Sequence, residues 1–205
     1  MEENRETFFA RIQPLLAPSD LLDIELAYTL AKYAHRWQVR LETDAAGRPR
    51  RYFEHLRRVA LILIDEMKVV DPTLIIAALN HDGIEDTRDL TPELLEHCFG
   101  TEVTRIVKGL SKVPKEGYIG RLMMSDWKTL LVKACDRLDN LRSLDRPEIS
   151  AAFRRKQLDE TQRDYLQIFD RLVGLVPPDL ERGVRQLRDG IKSLLQELDQ
   201  GTAVP

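Results

Sequence analysis

Asp71-Pro72-Thr73-Leu74-Ile75-Ile76-Ala77-Ala78-Leu79-Asn80-His81-Asp82-Gly83-Ile84-Glu85-Asp86-Thr87 decides how the rest of the chain is read. Asp71-Pro72 opens a helix, because proline is tolerated at the first helical position, where its missing N–H would have had no partner. Leu74 to Leu79 is apolar on every side, the mark of a helix buried all round. Gly83 ends it, which leaves His81 and Asp82 at the end of a buried element. Glu85 and Asp86 come within about one helical turn of about 3.6 residues. A histidine touching a carboxylate, with two more carboxylates beyond, suits a divalent metal beside an acid/base group. Hydrolysis of a phosphate ester or anhydride needs that equipment.

Outward from this helix the same periodicity continues, and no strand alternation stands out. Ser19-Asp20 can cap a helix carrying Leu22, Leu26 and Leu30 with Ala27, Ala31 and Ala34. Thr43 to Arg51 holds Gly47 and Pro49 and reads as a loop. A helix from Tyr52 then carries His55, Val59, Ile62 and Leu63 on one side. Downstream, Thr91-Pro92-Glu93 opens a short helix that closes at Gly100, and Thr101 opens the next. Lys112 to Gly120 reads as a loop. Ser125-Asp126 caps a long helix to about Leu144, and another runs from about Ile149 to Leu175, stopped by Pro177-Pro178.

The expected fold is therefore all-α, a single compact helical bundle. The main domain is expected over residues 1–178. Residues 179–205 form a last helix whose Val184, Leu187, Ile191, Leu194 and Leu198 make a short heptad-like seam. That seam either packs back on the domain or mediates self-association, so the chain is a monomer or a homodimer.

Composition excludes several functions. With 43% hydrophobic residues among 205, the chain can bury a real core, and a net charge of −3 supplies no basic face for nucleic acid. Cys98 and Cys135 both lie in helical patterns and read as reduced packing residues. No apolar run reaches the roughly 20 residues of a membrane span. The acidic start Met1-Glu2-Glu3-Asn4-Arg5 lacks the apolar core of a signal peptide. A cytoplasmic protein with no membrane partner is expected.

Four histidines limit where a metal can sit. His81 and Asp82 are joined by His55, whose apolar neighbours place it inside. Asp136 is a further candidate. Helical spacing puts it on one stripe with Lys133, Asn140 and Ser143, while Trp127, Leu131, Ala134, Leu138 and Leu141 fall opposite. Spacing leaves two readings open for that stripe: a solvated face, or the wall of a polar cleft. Glu85 and Asp86 are either a solvated acidic turn or groups that position and deprotonate water. His35 reads as a cation at a helix C-terminus, and His97 as a surface residue.

Taken in order, these segments resemble the HD-domain hydrolases of the RelA/SpoT homologue family, and among them the stand-alone small alarmone hydrolases. The matching blocks are Ala34-His35 with Gln38-Val39-Arg40, Tyr52-Phe53-Glu54-His55, His81-Asp82 with Glu85-Asp86-Thr87, and Asp136-Arg137-Leu138 with Asn140-Leu141-Arg142-Ser143-Leu144. Smaller echoes are Phe99-Gly100, Val107 to Lys112, and Glu160-Thr161 with Tyr165. The match runs roughly from Leu22 to Leu172, with no room for the synthetase and regulatory domains of the long family members.

The resemblance implies an HD-type metal-dependent phosphohydrolase with metal ligands His55, His81, Asp82 and Asp136. It implies Glu85 and Asp86 acting on the attacking water. Arg40, Asn140 and Ser143 would contact the nucleotide or its phosphates, flanked by Tyr52, Lys112 and Tyr165. Arg48, Arg50 or Arg51 could add positive charge for the phosphates. A mixed imidazole and carboxylate set accepts Mn²⁺, Fe²⁺ or Zn²⁺, and the resemblance points to one manganese. The implied reaction, part of the stringent response, removes the 3′-pyrophosphate from guanosine tetra- or pentaphosphate, giving GDP or GTP. The alternatives are another nucleotide substrate (an adenosine alarmone, a 2′-phosphate of the NADPH kind or a nucleoside monophosphate) or a catalytically silent alarmone-binding module.

The chain also departs from the family. Leu41 follows Arg40 where a lysine is usual, two extra residues precede Tyr52, Leu56 stands where proline is common, and Asp139 replaces a histidine or tyrosine. These changes are expected to bear on the nucleotide-binding rim and on base preference and to leave the metal centre untouched.

Overall fold

The computed structural model describes residues 3–200. Residues 201–205, the end of the expected C-terminal unit, lie outside the described residues. The order of elements is α1 (Arg5–Ile12), α2 (Pro18–Ala34), β1 (Val39–Thr43), β2 (Pro49–Arg51), α3 (Tyr52–Leu61), α4 (Pro72–Asn80) and α5 (Gly83–Asp86). After these come α6 (Pro92–Leu110), α7 (Tyr118–Met123), α8 (Trp127–Arg142), α9 (Ala151–Glu160), α10 (Leu166–Val173) and α11 (Pro178–Gln200). Among the described residues the fold is all-α apart from one small hairpin.

Helix α4 is the hub. Its N-cap Asp71 accepts a hydrogen bond from the Leu74 N–H at 3.1 Å, with Pro72 at N1. Every residue from Leu74 to Asn80 is buried, against α2, α3, α6 and α8. Each of its large aliphatic side chains contributes about 1.5–3 kcal/mol by leaving water. The helix ends at Asn80, with His81 as its C-cap. Gly83 then opens the single turn α5, and it packs so tightly on Leu90 that a Cβ there would lie 2.5 Å from Leu90 Cδ1.

Three readings differ from expectation, the first being that α7 starts at Tyr118, inside the 112–120 stretch read as a loop, with Gly117 as its N-cap at φ +68°. Helix α2 starts at Pro18 with Ala17 as N-cap, so Asp20 serves the first turn rather than the cap. The Thr43–Arg51 loop is the antiparallel hairpin β1–β2, pairing Val39 with Arg51 and Thr43 with Pro49. Asp44 makes this possible, since its Oδ1 accepts from the Ala46 and Arg48 N–H groups at 2.8 and 3.0 Å. Gly47 supplies the positive φ of +73° the turn needs. Gly100, at φ +79°, breaks α6 where the sequence closes one helix and opens the next.

Helix α8 is buried from Thr129 to Asp139 on all sides, polar stripe included. The solvated-face reading of Lys133 and Asp136 is thereby ruled out. Helix α11 lies on α8, α9 and α10, burying Val184, Leu187, Ile191, Leu195 and Leu198. Leu195, rather than Leu194, completes the seam. Among the described residues no helix is long and apolar enough to cross a membrane.

Candidate metal centre and cleft

Three elements bring four side chains to one point: α3 carries His55, the C-terminal end of α4 carries His81 and Asp82, and α8 carries Asp136. Nε2 of His55 lies 3.2 Å from Asp136 Oδ1 and 3.7 Å from Asp82 Oδ2. Nε2 of His81 lies 3.1 Å from Asp82 Oδ2 and 3.6 Å from Asp136 Oδ1. His55, His81 and Asp136 are buried, and Asp82 is half-buried.

The other ring nitrogens fix the tautomers. His81 Nδ1 lies 2.8 Å from the Ala78 carbonyl oxygen, and His55 Nδ1 lies 2.7 Å from Asp139 Oδ2. A carbonyl or carboxylate oxygen can only accept, so both Nδ1 atoms carry the hydrogen and both Nε2 atoms turn inward. Among the described residues His81 Nε2 has no hydrogen-bond partner despite its burial: its 3.1 Å approach to Asp82 is a charge contact without hydrogen-bond alignment. His55, His81 and Asp82 each offer a ligand atom within 4.8 Å of the others, a grouping that could hold a metal ion, and Asp136 stands beside it.

The electrostatics agree. Burial disfavours a charged His81, but Asp82 and Asp136 outweigh it and push the imidazole up to about 10. Burial would likewise raise Asp82 and Asp136, yet His81 holds the first, and Lys133 with both histidines the second, below the usual carboxylate range. The centre of the cluster demands positive charge, which a proton or a cation can supply.

A second ring of groups holds these side chains. Lys133 Nζ and Asn140 Nδ2 donate to the two oxygens of Asp136 at 2.7 and 2.6 Å. Arg40 donates to Asn140 Oδ1 at 2.9 Å and, more weakly, to Ser143 Oγ at 3.4 Å. The Tyr52 hydroxyl lies 2.7 Å from Asp82 Oδ2 and 3.1 Å from Asp86 Oδ2. Partial burial, then Asp82 and Glu85, raise the Asp86 carboxyl above its ordinary value. Glu85 accepts from the Lys112 N–H at 2.9 Å, with Lys112 Nζ 3.8 Å away.

These groups border an open cleft with about 320 Å³ of room. Arg40, Tyr52, Lys112, Asn140, Ser143, Glu85 and Asp86 all line it, as do Asp82 and Asp136. The expected residues thus come together, with three corrections. Tyr165 does not line the cleft: its buried ring lies 4.0 Å from the Arg137 guanidinium and 5.5 Å from Lys133 Nζ. Arg48 pairs with Asp44 at 2.8 Å and Arg50 with Glu54 at 2.9 Å, and neither they nor Arg51 border the cleft. His35 does cap the C-terminus of α2, but its surroundings disfavour the expected cation. It is buried, its ring stacks on Tyr52 at 5.0 Å, Nδ1 meets Gln38 Oε1 at 2.6 Å, and burial lowers its pKa.

The cleft-wall reading of the stripe holds for Lys133, which lines the cleft, but sequence reasoning missed Arg137 as a second cation there. It also missed Gln38, whose amide donates to the Asp86 carbonyl at 2.7 Å. The i,i+4 spacing of Lys133 and Arg137 beside Asp136 was the available signal.

Residues 27–119 match the family model of the HD domain. The bifunctional (p)ppGpp synthase/hydrolase SpoT of Escherichia coli K12 is 34% identical over 163 residues, which cover 72% of this chain and 22% of that protein. The GTP pyrophosphokinase rsh of Brucella melitensis is 37% identical over 131 residues, 58% of this chain and 16% of that protein. The chain thus spans less than a quarter of the length of these curated relatives. A solved structure described as a metazoan ortholog of SpoT that hydrolyzes ppGpp superposes with a TM-score of 0.63 at 26% identity, covering 80% of this chain and 93% of the other.

Proposed function

This chain carries an HD domain with homologues among the SpoT and Rsh proteins, and from that premise we propose that it is a metal-dependent hydrolase of guanosine alarmones. It removes the 3′-pyrophosphate of guanosine tetra- or pentaphosphate to give GDP or GTP. The observation that carries this reading is the convergence of the inward-facing nitrogens of His55 and His81 on Asp82 and Asp136, within 3.7 Å. Glu85 and Asp86 stand beside that cluster at the cleft.

His55, His81, Asp82 and Asp136 would hold one divalent cation, assigned as manganese. Such a cation supplies Lewis acidity and lowers the pKa of water from about 15.7 toward 7. Asp86, its carboxyl raised by its surroundings, accepts the proton of the attacking water. Glu85, fixed by the Lys112 N–H, orients that water. Arg40, Lys112, Lys133 and Arg137 present positive charge to the phosphates, where it stabilises the charge that builds during transfer. The breaking P–O3′ bond leaves its electron pair on the ribose oxygen, which collects the proton held by Asp86. The substrate is a small nucleotide, met in the cytoplasm.

Leu41 favours a second substrate reading. It sits 60% exposed on β1 at the cleft and offers the base or its sugar no charge, which is compatible with an adenosine alarmone or another nucleotide. A panel of nucleotides with Mn²⁺, scored for pyrophosphate against phosphate release, separates the readings. Pyrophosphate from guanosine tetraphosphate as the fastest reaction is expected. Faster phosphate release from a 2′-phosphate or a monophosphate would replace the substrate, and binding without turnover would indicate a silent alarmone-binding module.

A further inference from the structure

Helix α8 grips the His55 ring at both nitrogens. Asp136 Oδ1 faces Nε2 at 3.2 Å, and one turn on, Asp139 Oδ2 accepts from Nδ1 at 2.7 Å. Asp139 is itself only 4% exposed and is held by a fork: Arg58 Nε donates to its Oδ1 at 2.7 Å and the terminal nitrogen to its Oδ2 at 3.0 Å. The same terminal nitrogen donates to Glu42 Oε1 at 2.7 Å, and Glu42, 4% exposed, belongs to β1. A continuous chain of charge-assisted hydrogen bonds therefore runs from the hairpin through Arg58 and Asp139 to His55.

We infer that Arg58 and Asp139 are positioning residues of the metal centre, acting together to hold His55 in the tautomer and orientation that present Nε2 to the cation. This rests on the metal-centre reading above. A carboxylate at position 139 can only accept, so it keeps the hydrogen on Nδ1 and the lone pair on Nε2. An amide there could present its NH₂ group to the ring and stabilise the opposite tautomer, which hides the lone pair. Arg58 adds what a lone carboxylate lacks: its planar fork fixes the plane of Asp139, and Glu42 fixes the fork. Groups hydrogen-bonded behind a metal-binding histidine commonly shift metal affinity without touching the metal.

Cobalt titration of the metal-stripped protein, read by competition with a chromophoric chelator and by the visible ligand-field spectrum, tests this. Asp139→Asn should weaken Co²⁺ binding by about 10–100-fold and alter the spectrum, with the stripped protein still folded by circular dichroism. Arg58→Gln should weaken it less. The double variant should be no weaker than Asp139→Asn alone, because the two act through one ring. Co²⁺ affinity within about twofold of wild type and an unchanged spectrum in both single variants, or strictly additive losses, would overturn the inference. If Asp139→Asn fails to fold, Arg58→Gln, at a partly exposed position, decides the question by the same two readouts. A wild-type protein that binds no Co²⁺ would overturn the metal centre itself. Binding lost in Asp82→Ala but kept in Asp139→Asn would overturn only this inference.

Discussion

The hydroxyl of Tyr52 donates to Oδ2 of Asp82 at 2.7 Å, and the same hydroxyl lies 3.1 Å from Asp86. The first residue of α3 thus ties the proposed metal ligand to the proposed base. A hydrogen bond to a charged group contributes about 1.5–3 kcal/mol. Tyr52→Phe is therefore expected to retain metal and to lose about tenfold to a hundredfold in kcat, measured by metal content and steady-state turnover on one preparation.

Glu85 touches Lys112 rather than the ligand cluster. Its removal should spare metal binding and remove orientation of the water. Glu85→Gln is expected to keep a full metal complement and lose about 10²–10⁴ in kcat. A metal-free Glu85→Gln protein would move Glu85 into the ligand set.

The glycine between Asp82 and Glu85 has a packing reason. An added Cβ at Gly83 would meet Leu90 Cδ1 at 2.5 Å, and overpacking of this kind costs about 1–3 kcal/mol. Gly83→Ala should lower the urea midpoint accordingly and reduce activity, because the turn that separates the proposed ligand Asp82 from the proposed base is displaced. An unchanged midpoint would contradict the tight packing.

His35 gives the protein a pH-dependent stability. Burial, opposed by Gln38, lowers its pKa in the folded protein below the ordinary value of 6.5. Between the lowered folded value and about 6.5 the unfolded chain binds more protons, so stability rises with pH there. The contribution is complete above about 6.5 and is lost as pH falls through that window. Melting temperature should drop as pH falls below about 6.5, and His35→Phe, a flat ring that can take the place of the imidazole stacked on Tyr52, should flatten the drop.

The α4 helix and its His81-Asp82 end are legible in sequence because an all-apolar run has one solution, burial, and the residues just beyond it inherit the position. Asp136 is harder. A stripe of Lys133, Asp136, Asn140 and Ser143 has the periodicity of a solvated face, and only the packing of α3, α4, α6, α10 and α11 around α8 buries most of it. The hairpin is hidden for a local reason: Asp44 builds its turn with side-chain hydrogen bonds, while Gly47 and Pro49 look like a plain loop. The arginines of that hairpin misled, since Arg48 and Arg50 are spent on Asp44 and Glu54. The partners of His55 and Tyr52 lie far off in the chain (Asp139 and Asp82), and no spacing rule announces such contacts. Asp139, expected at the nucleotide-binding rim, lies outside the cleft lining and stands behind the His55 ring instead.

Turnover is proposed to depend on one cation held by His55, His81, Asp82 and Asp136. The direct measurement strips the protein with a chelator, returns Mn²⁺ in steps, and tracks pyrophosphate release from guanosine tetraphosphate in wild type and Asp82→Ala. The stripped wild type is expected to be silent, about one equivalent of metal to restore it, and Asp82→Ala to stay silent at every step. Full turnover by the stripped protein, or by Asp82→Ala, would contradict the assignment.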